Sequence, residues 1–316
     1  DEQGYVYAWL FCGPFQARSP EEALNTDWLH GEAEAIPEEG DSRSGKVWRL
    51  IHARGQRMNL AALQGAPPDS AAYLSCALYA PQGLPAAERT LRFAVRTNNG
   101  FALWLNGDRL SYRAPSQVPP PDGPSVASAK LHDGWNVLLL KASHAGGEWS
   151  ASLRVTAEDD TVPAWLRVQA EAVLRAEVDR QAWRATASHL SEQAALAFDG
   201  SAATCWSTEV PMRAGMWFLL DMGTQVELGR ILLDSSHLPQ GYPRGYTLMA
   251  SQDAEHWQAV EGEERAEQRQ VGGRLYFNFQ PPLRARYLKI LQTGRTSVWP
   301  WSIGEVRAFG PRLQIP

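Results

Sequence analysis

Gly215-Met216-Trp217-Phe218-Leu219-Leu220-Asp221-Met222-Gly223 is a short apolar run closed at both ends by glycine, and it reads as a β-strand. Similar runs lie on both sides of it. Arg230-Ile231-Leu232-Leu233-Asp234, Tyr246-Thr247-Leu248-Met249-Ala250, Leu275-Tyr276-Phe277-Asn278-Phe279 and Arg286-Tyr287-Leu288-Lys289-Ile290 follow. Residues 73–79, 91–95, 101–105 and 137–140 repeat the pattern in the first half. Short strands set apart by Gly, Pro, Asn and Asp are what an all-β sandwich requires. Asn106-Gly107, between Trp104-Leu105 and Arg109-Leu110, marks a tight hairpin because both residues tolerate positive φ. The proline-rich stretch from Pro115 to Pro124 reads as an exposed loop.

One segment departs from this pattern. Leu166, Ala170, Val173, Leu174 and Val178 share one face at 3.6-residue spacing, and Pro163 suits a helix start. The expectation is a connecting helix over 161–181, its apolar stripe docked rather than swinging free. A chain of 316 residues with 44% apolar content exceeds a common domain. The division expected is therefore a β-sandwich over 1–160, the helix, and a second sandwich over 182–316.

Thirty basic and 35 acidic residues, a net charge of −5, are interspersed without a Lys/Arg block. That argues against nucleic acid and anionic membrane as partners. The strongest apolar stretch, Val137-Leu138-Leu139-Leu140, ends at Lys141, far short of the ~20 residues of a membrane-spanning helix. The chain opens Asp1-Glu2-Gln3-Gly4, as a mature chain trimmed of its signal would, so a secreted, periplasmic or cell-surface location is expected. Three widely spaced cysteines suggest neither a zinc cluster nor a disulfide framework. Cys12 and Cys76 could pair in an exported protein, or Cys76, alternating with Leu74 and Leu78, is a buried free thiol.

The second half holds an ordered set of phrases: Ala197-Phe198-Asp199-Gly200, Thr204-Cys205-Trp206-Ser207-Thr208, Gly215-Met216-Trp217-Phe218 into Leu220-Asp221-Met222-Gly223, Ser251-Gln252-Asp253 with Trp257, Ala285-Arg286-Tyr287-Leu288-Lys289-Ile290, and Trp301-Ser302-Ile303-Gly304-Glu305-Val306. In this order they resemble a factor V/VIII type C, or discoidin-like, domain, the group that includes family 32 carbohydrate-binding modules. The resemblance implies a jelly-roll, galactose-binding-like sandwich and a structural calcium ion. Calcium takes 6–8 hard oxygens. By position in the motif Asp199 and Glu305 would supply carboxylates, Thr204 its hydroxyl and carbonyl, and Leu196, Ser201 and Gly304 carbonyls.

Galactose-binding members resemble Trp-His-Thr-x-Trp after the Asp-Gly loop. Here the stretch is Trp206-Ser207-Thr208-Glu209-Val210, so Ser207 and Val210 stand where the imidazole and the stacking ring would be. Other loops carry the chemistry of a sugar site, a flat aromatic face with convergent polar groups. His237, Tyr242 and Arg244 lie on one, Arg295 and Trp299 on another. Three have a structural reading too: residues 242–246, with Tyr242, as a packed strand entry, Arg244 as a structural hydrogen-bonder, and Trp299 as a core plug beside Trp301.

More loosely, Trp104-Leu105-Asn106-Gly107, Leu131-His132-Asp133-Gly134-Trp135-Asn136 and Trp9-Leu10-Phe11-Cys12-Gly13-Pro14-Phe15 resemble the sugar-binding-like jelly-roll domains beside glycosidase catalytic domains. No site is assigned there. The chain has no Gly-x-Ser-x-Gly, no His-Glu-x-x-His and no phosphate-binding glycine loop. Its seven histidines lack metal-ligand spacing. Residues 32–41 are acid-rich but read as a solvated loop. The expectation is a non-catalytic protein binding a polysaccharide or glycan, alone or beside other domains of a longer protein. The alternative is a protein-interaction or cell-adhesion module. Lipid binding would want a basic collar around exposed apolar spikes, which the loops do not display in sequence.

Overall fold

The computed structural model describes residues 2–63, 66–117, 123–201, 203–260, 266–271 and 273–313. Two compact units divide the chain between Val173 and Leu174. No helix among the described residues is long and apolar enough to cross a membrane.

The first unit holds β1 (Ala8–Gln16), α1 (Pro20–Asn25), β2 (Ser42–Arg43), β3 (Lys46–Val47), β4 (Arg49–His52), β5 (Met58–Asn59), β6 (Ser70–Ala80), β7 (Thr90–Thr97), β8 (Phe101–Leu105), β9 (Asp108–Arg113), β10 (Ser125–Lys130), β11 (Gly134–His144), β12 (Ser150–Thr156) and β13 (Arg167–Gln169). A sheet in the order β4-β1-β6-β11-β8-β9 faces a second, β10-β7-β12-β5. Leu74, Cys76 and Leu78 of β6 meet Leu91, Phe93 and Val95 of β7 in the core between them. Alternation along β7 buries Leu91, Phe93 and Val95 and turns their neighbours outward. β6 and β11 are buried on both faces, because Leu24, Leu29 and Trp48 from the 17–50 segment cover Tyr73 and Leu139 on the outer face. The hairpin at Asn106-Gly107 forms as expected, with φ of 51° and 94°.

The expected helix over 161–181 is absent. In its place β13 pairs Arg167–Gln169 with Tyr79–Ala77 of β6, continuing the edge that β1 leaves at Ser75. The open edge of β6 offered these residues ladder hydrogen bonds, and the supposed stripe did not bury as one. Leu166 packs on the sandwich core, Ala170 on the outer-face cluster and Val178 on the core of the second unit, while Val173 is 60% exposed. Residues 161–173 accordingly belong to the first unit. Cys12 and Cys76 are both free, since they face opposite sides of one sheet, Cys12 in the outer cluster and Cys76 in the inner core. Burial pushes the Cys12 thiol up to about 12 and the Cys76 thiol up as well. Part of the proline-rich stretch, 118–122, lies outside the described residues.

The second unit holds β14 (Arg184–Ala187), β15 (Trp206–Pro211), β16 (Trp217–Asp234), β17 (Tyr246–Ser251), β18 (Gln258–Ala259), β19 (Ala266–Val271), β20 (Arg274–Gln292), β21 (Pro300–Ile303) and β22 (Glu305–Phe309), with a 3-10 helix at Ser191–Ala197. The sheet β14-β16-β20-β17-β18, with β19 on β20 and β22 on β16, is accompanied by the β15–β21 pair. The long strands β16 and β20 run antiparallel throughout, with register shifts between Asp221 and Val226 and between Leu228 and Arg230. The first stretch of β16 thus pairs with β14 and its last with β22. Trp206 packs at 5.0 Å from Phe218 and edge-on at 5.1 Å from Trp301. All three are buried, joining the β15–β21 pair to the main sheet.

Beside Gly223, Asp221 accepts two hydrogen bonds from Arg286, at 2.8 and 3.0 Å. These bonds hold its carboxyl below the usual range, against the opposing effect of burial. A depressed carboxyl contributes stability above its unfolded pKa, about 3.9, and loses it as pH falls through the folded value. Asp221→Asn should therefore flatten the acid limb of the stability curve below about pH 4. Equal acid sensitivity of variant and parent in urea titrations between pH 4 and 2 would sink that assignment.

Candidate functional site

The loops at one end of the second unit come together through backbone bonds. β15 and β21 pair Trp206 with Ile303, Ser207 with Ser302 and Pro211 with Pro300, with a register shift between Ser207 and Pro211. Glu209 in that irregularity has φ of 54°. Met212 N donates to Trp299 O at 3.0 Å, and Thr296 N donates to Met212 O at 3.1 Å. The 236–245 loop joins them, since Ser302 N donates to Gly241 O and Gly294 N to Gly245 O, at 2.9 and 3.0 Å. A Cβ on Gly294 would lie 2.6 Å from Gly245 N, so glycine is what allows this approach.

Trp299 stands on this surface, 38% exposed, with Val210 at 40% and Val298 at 65%. Trp301 is fully buried. Strand alternation would put both tryptophans on one side, but β21 begins at Pro300, which leaves Trp299 in the loop and free of that constraint. Val210, the residue that lacks an aromatic ring, is itself exposed, one position before the Pro211 that pairs with Pro300 next to Trp299. The exposed Arg213 and Arg295 are carried on the same two segments.

Tyr242 and Arg244 are committed to each other. The Arg244 guanidinium lies 4.0 Å from the centre of the Tyr242 ring and donates to Gln240 O at 2.8 Å and Gln240 Oε1 at 2.9 Å. One face of Tyr242 is thus already covered. His237 is exposed but sits over Gly304, where a Cβ would lie 2.7 Å from its Nδ1. That places it beside Gly304, the residue before Glu305.

The second group of residues forms a separate corner. Thr204 Oγ1 lies 2.9 and 2.8 Å from the two Asp199 carboxylate oxygens and 3.0 Å from Ser201 O. Ser201 N also donates to Asp199. Glu305 closes the corner from β22, one oxygen accepting from Gly200 N and the other from Arg180 Nη1, each at 2.6 Å. Gly304 N is held by Asp234 O, and Leu196 lies on the 3-10 helix leading in. Asp199, Ser201, Thr204 and Glu305 converge, and the carboxylate, hydroxyl and carbonyl oxygens around Thr204 are of the hard kind calcium takes. Arg180 escaped the sequence reading. Nothing marks it in sequence, because its partner lies 125 residues away.

Several solved structures are similar to part of this chain. They include CpGH89CBM32-5 from Clostridium perfringens in complex with GalNAc-β-1,3-galactose, 19% identical over 43% of this chain and 100% of that one, with a TM-score of 0.35. A chitosan-binding module of a chitosanase/glucanase from Paenibacillus sp. IK-5 is 25% identical over 40% of this chain and 92% of that one, TM-score 0.32. The family 32 module of Clostridium perfringens NanJ, in complex with galactose, is 17% identical over 43% and 99%, TM-score 0.34. No curated protein matches the chain. The match to a family covers residues 181–306 and takes in the β14–β16 edge, the Asp199 corner and the β15–β21 pair. The family whose model matches these residues is the F5/8 type C domain.

Proposed function

We propose that the chain is a non-catalytic, exported glycan-binding protein or targeting module whose second unit holds a polysaccharide at the Trp299 end. The observation that carries this reading is the exposed Trp299 on an F5/8 type C domain, whose own loop carries exposed Arg295 and Val298 and whose backbone-linked neighbour segment carries exposed Val210 and Arg213. A partly exposed indole, with guanidinium groups on the same two segments, offers the C–H contact surface and the hydrogen-bond donors that sugars use. Affinity electrophoresis of the full chain against a panel of polysaccharides tests it. Retardation by at least one polymer is expected. A chain that melts normally and is retarded by none would favour a second reading, a protein-adhesion surface, which the 65% exposure of Val298 supports.

The proposal includes a structural calcium ion at the Asp199 corner, ligated by Asp199, Thr204, Ser201 and Glu305 with the carbonyls of Leu196 and Gly304. Support comes from the clustered oxygens around Thr204. Arg180 keeps one oxygen of Glu305, leaving the other to face Gly200 and the ion. An ion present at a hundred times its dissociation constant stabilises by about 2.7 kcal/mol. EDTA should therefore lower the melting temperature of the second unit by about 5–10 °C, and calcium should restore it. Asp199→Asn should remove the difference. Identical melts with and without EDTA would exclude the ion.

A further inference from the structure

We propose that the first unit carries a second glycan site, a groove on the outer side of its larger sheet that takes an acidic, uronate-bearing oligosaccharide. It is independent of the Trp299 site and belongs to the unit for which the sequence suggested none.

The groove has a volume of about 620 Å³ and is lined by Phe15, Thr26, Trp28, His30, Ser44 and Lys46 among others. That size falls within the ~300–1,000 Å³ of small-molecule sites. Its aromatic wall is fixed. Trp28 stacks on Phe15 with ring centres 5.5 Å apart and planes 14° apart, and its Nε1 donates to Ala23 O at 2.9 Å. Trp28 N donates to the Tyr73 hydroxyl at 3.3 Å, and Trp28 O accepts from Ser44 Oγ at 2.6 Å.

Beneath this wall lies a buried ionic network. Lys141 Nζ donates to Glu32 Oε2 at 2.8 Å and to Thr26 O, and the Tyr73 hydroxyl donates to the same Glu32 oxygen. The Lys141 side chain is wholly buried. A buried ammonium loses much of its hydration, and well-packed apolar residues often stabilise as much. What this network achieves and an apolar filling would not is orientation. Its outward bonds, to Thr26 O and Trp28 N, end on two lining residues of the groove. Second-layer hydrogen bonds of this kind hold a binding surface in one geometry.

The rim shows a further sign. His30 and Ser44 both have left-handed backbones, φ 54° and 45°, an unfavourable state for residues with a Cβ. They face each other with Ser44 Oγ 3.3 Å from His30 Nε2. Two strained residues at one groove present their side chains to it together.

Charge selects the ligand class. Lys46 has no carboxylate partner among the described residues, and the imidazole of His30 lines the same groove. The acidic lining residue, Asp27, is directed at backbone, accepting from Leu29 N, Gly31 N and Glu32 N. An aromatic wall with an unpaired ammonium suits a sugar ring bearing a carboxylate.

The test uses the full chain carrying Trp299→Ala, which removes the second unit's platform, in gels containing polygalacturonate or alginate. Retardation by one of the two should persist, and Lys46→Gln with His30→Ala should reduce it tenfold or more without moving the melting temperature. Raising the salt from 0.05 to 0.5 M should weaken it in the Trp299→Ala chain. Retardation unchanged by the Lys46 and His30 substitutions, or absent from both polyuronates with wild-type and Trp299→Ala chains alike, overturns the proposal. The effect of Trp299→Ala on the other polysaccharides separately decides the reading of the second unit.

Discussion

Lys141→Ala should destabilise the first unit by about 3–5 kcal/mol, the cost of removing one partner from a buried ion pair. The side chain is wholly buried on β11. Burial pulls its pKa down, while the hydrogen bond and charge of Glu32 pull it back, and the net position is below that of a free lysine. Deleting the ammonium leaves Glu32, whose side chain is 17% exposed, facing the Tyr73 hydroxyl alone and deprives Thr26 O of its donor. The Glu32→Gln/Lys141→Met pair should cost less, because no charge is then left uncompensated. Urea unfolding followed at the first unit's transition reads both. A shift under about 1 kcal/mol for Lys141→Ala would mean that water hydrates the pair in the native protein. The double variant also bears on the groove above it. If the pair's main work is to hold Thr26 and Trp28, it should fold and yet bind polyuronate less well.

The second large effect is expected at Trp299. Its replacement by Ala should weaken binding of whichever polysaccharide the second unit retains by tenfold or more, ~1.4 kcal/mol. The melting temperature should change little, since the side chain is 38% exposed and lies outside the core. Tyr242→Ala makes the opposite pattern. Its ring is stacked by Arg244, so its loss should lower stability more than affinity. Undiminished binding by a folded Trp299→Ala chain would move the platform elsewhere on the surface.

The strands were legible where residue chemistry is local. Runs such as 101–105 and 216–221 carry their own apolar pattern, and Asn106-Gly107 carries its own turn. The 161–181 segment forms no helix although its apolar residues fit one, because a 3.6-residue spacing of Leu, Ala and Val does not say whether one surface exists to receive it. The β6 edge, far away in sequence, decided the matter. Among site residues, Asp199, Thr204 and Glu305 were visible as parts of a motif. Arg180 was not, and neither was the acid-rich 32–41 run as anything but solvated loop. In the fold Glu38 is buried and Glu32 anchors Lys141. Long-range ion pairs leave no trace in spacing. Val210 shows the reverse: the residue that breaks a family pattern in sequence lies in the β15 irregularity as an exposed apolar side chain.

β13 has a practical consequence. Its three residues cover the part of β6 from Ala77 to Tyr79 that β1 does not reach. A first unit cut at residue 160 would keep its sandwich core but present a bare, apolar strand edge to solvent, a template for adding strands from other molecules. Anyone expressing the halves separately should end the first after Val173, where the chain itself divides. The short strand would then serve as a guard against self-association, a purpose that its three exposed side chains give no hint of.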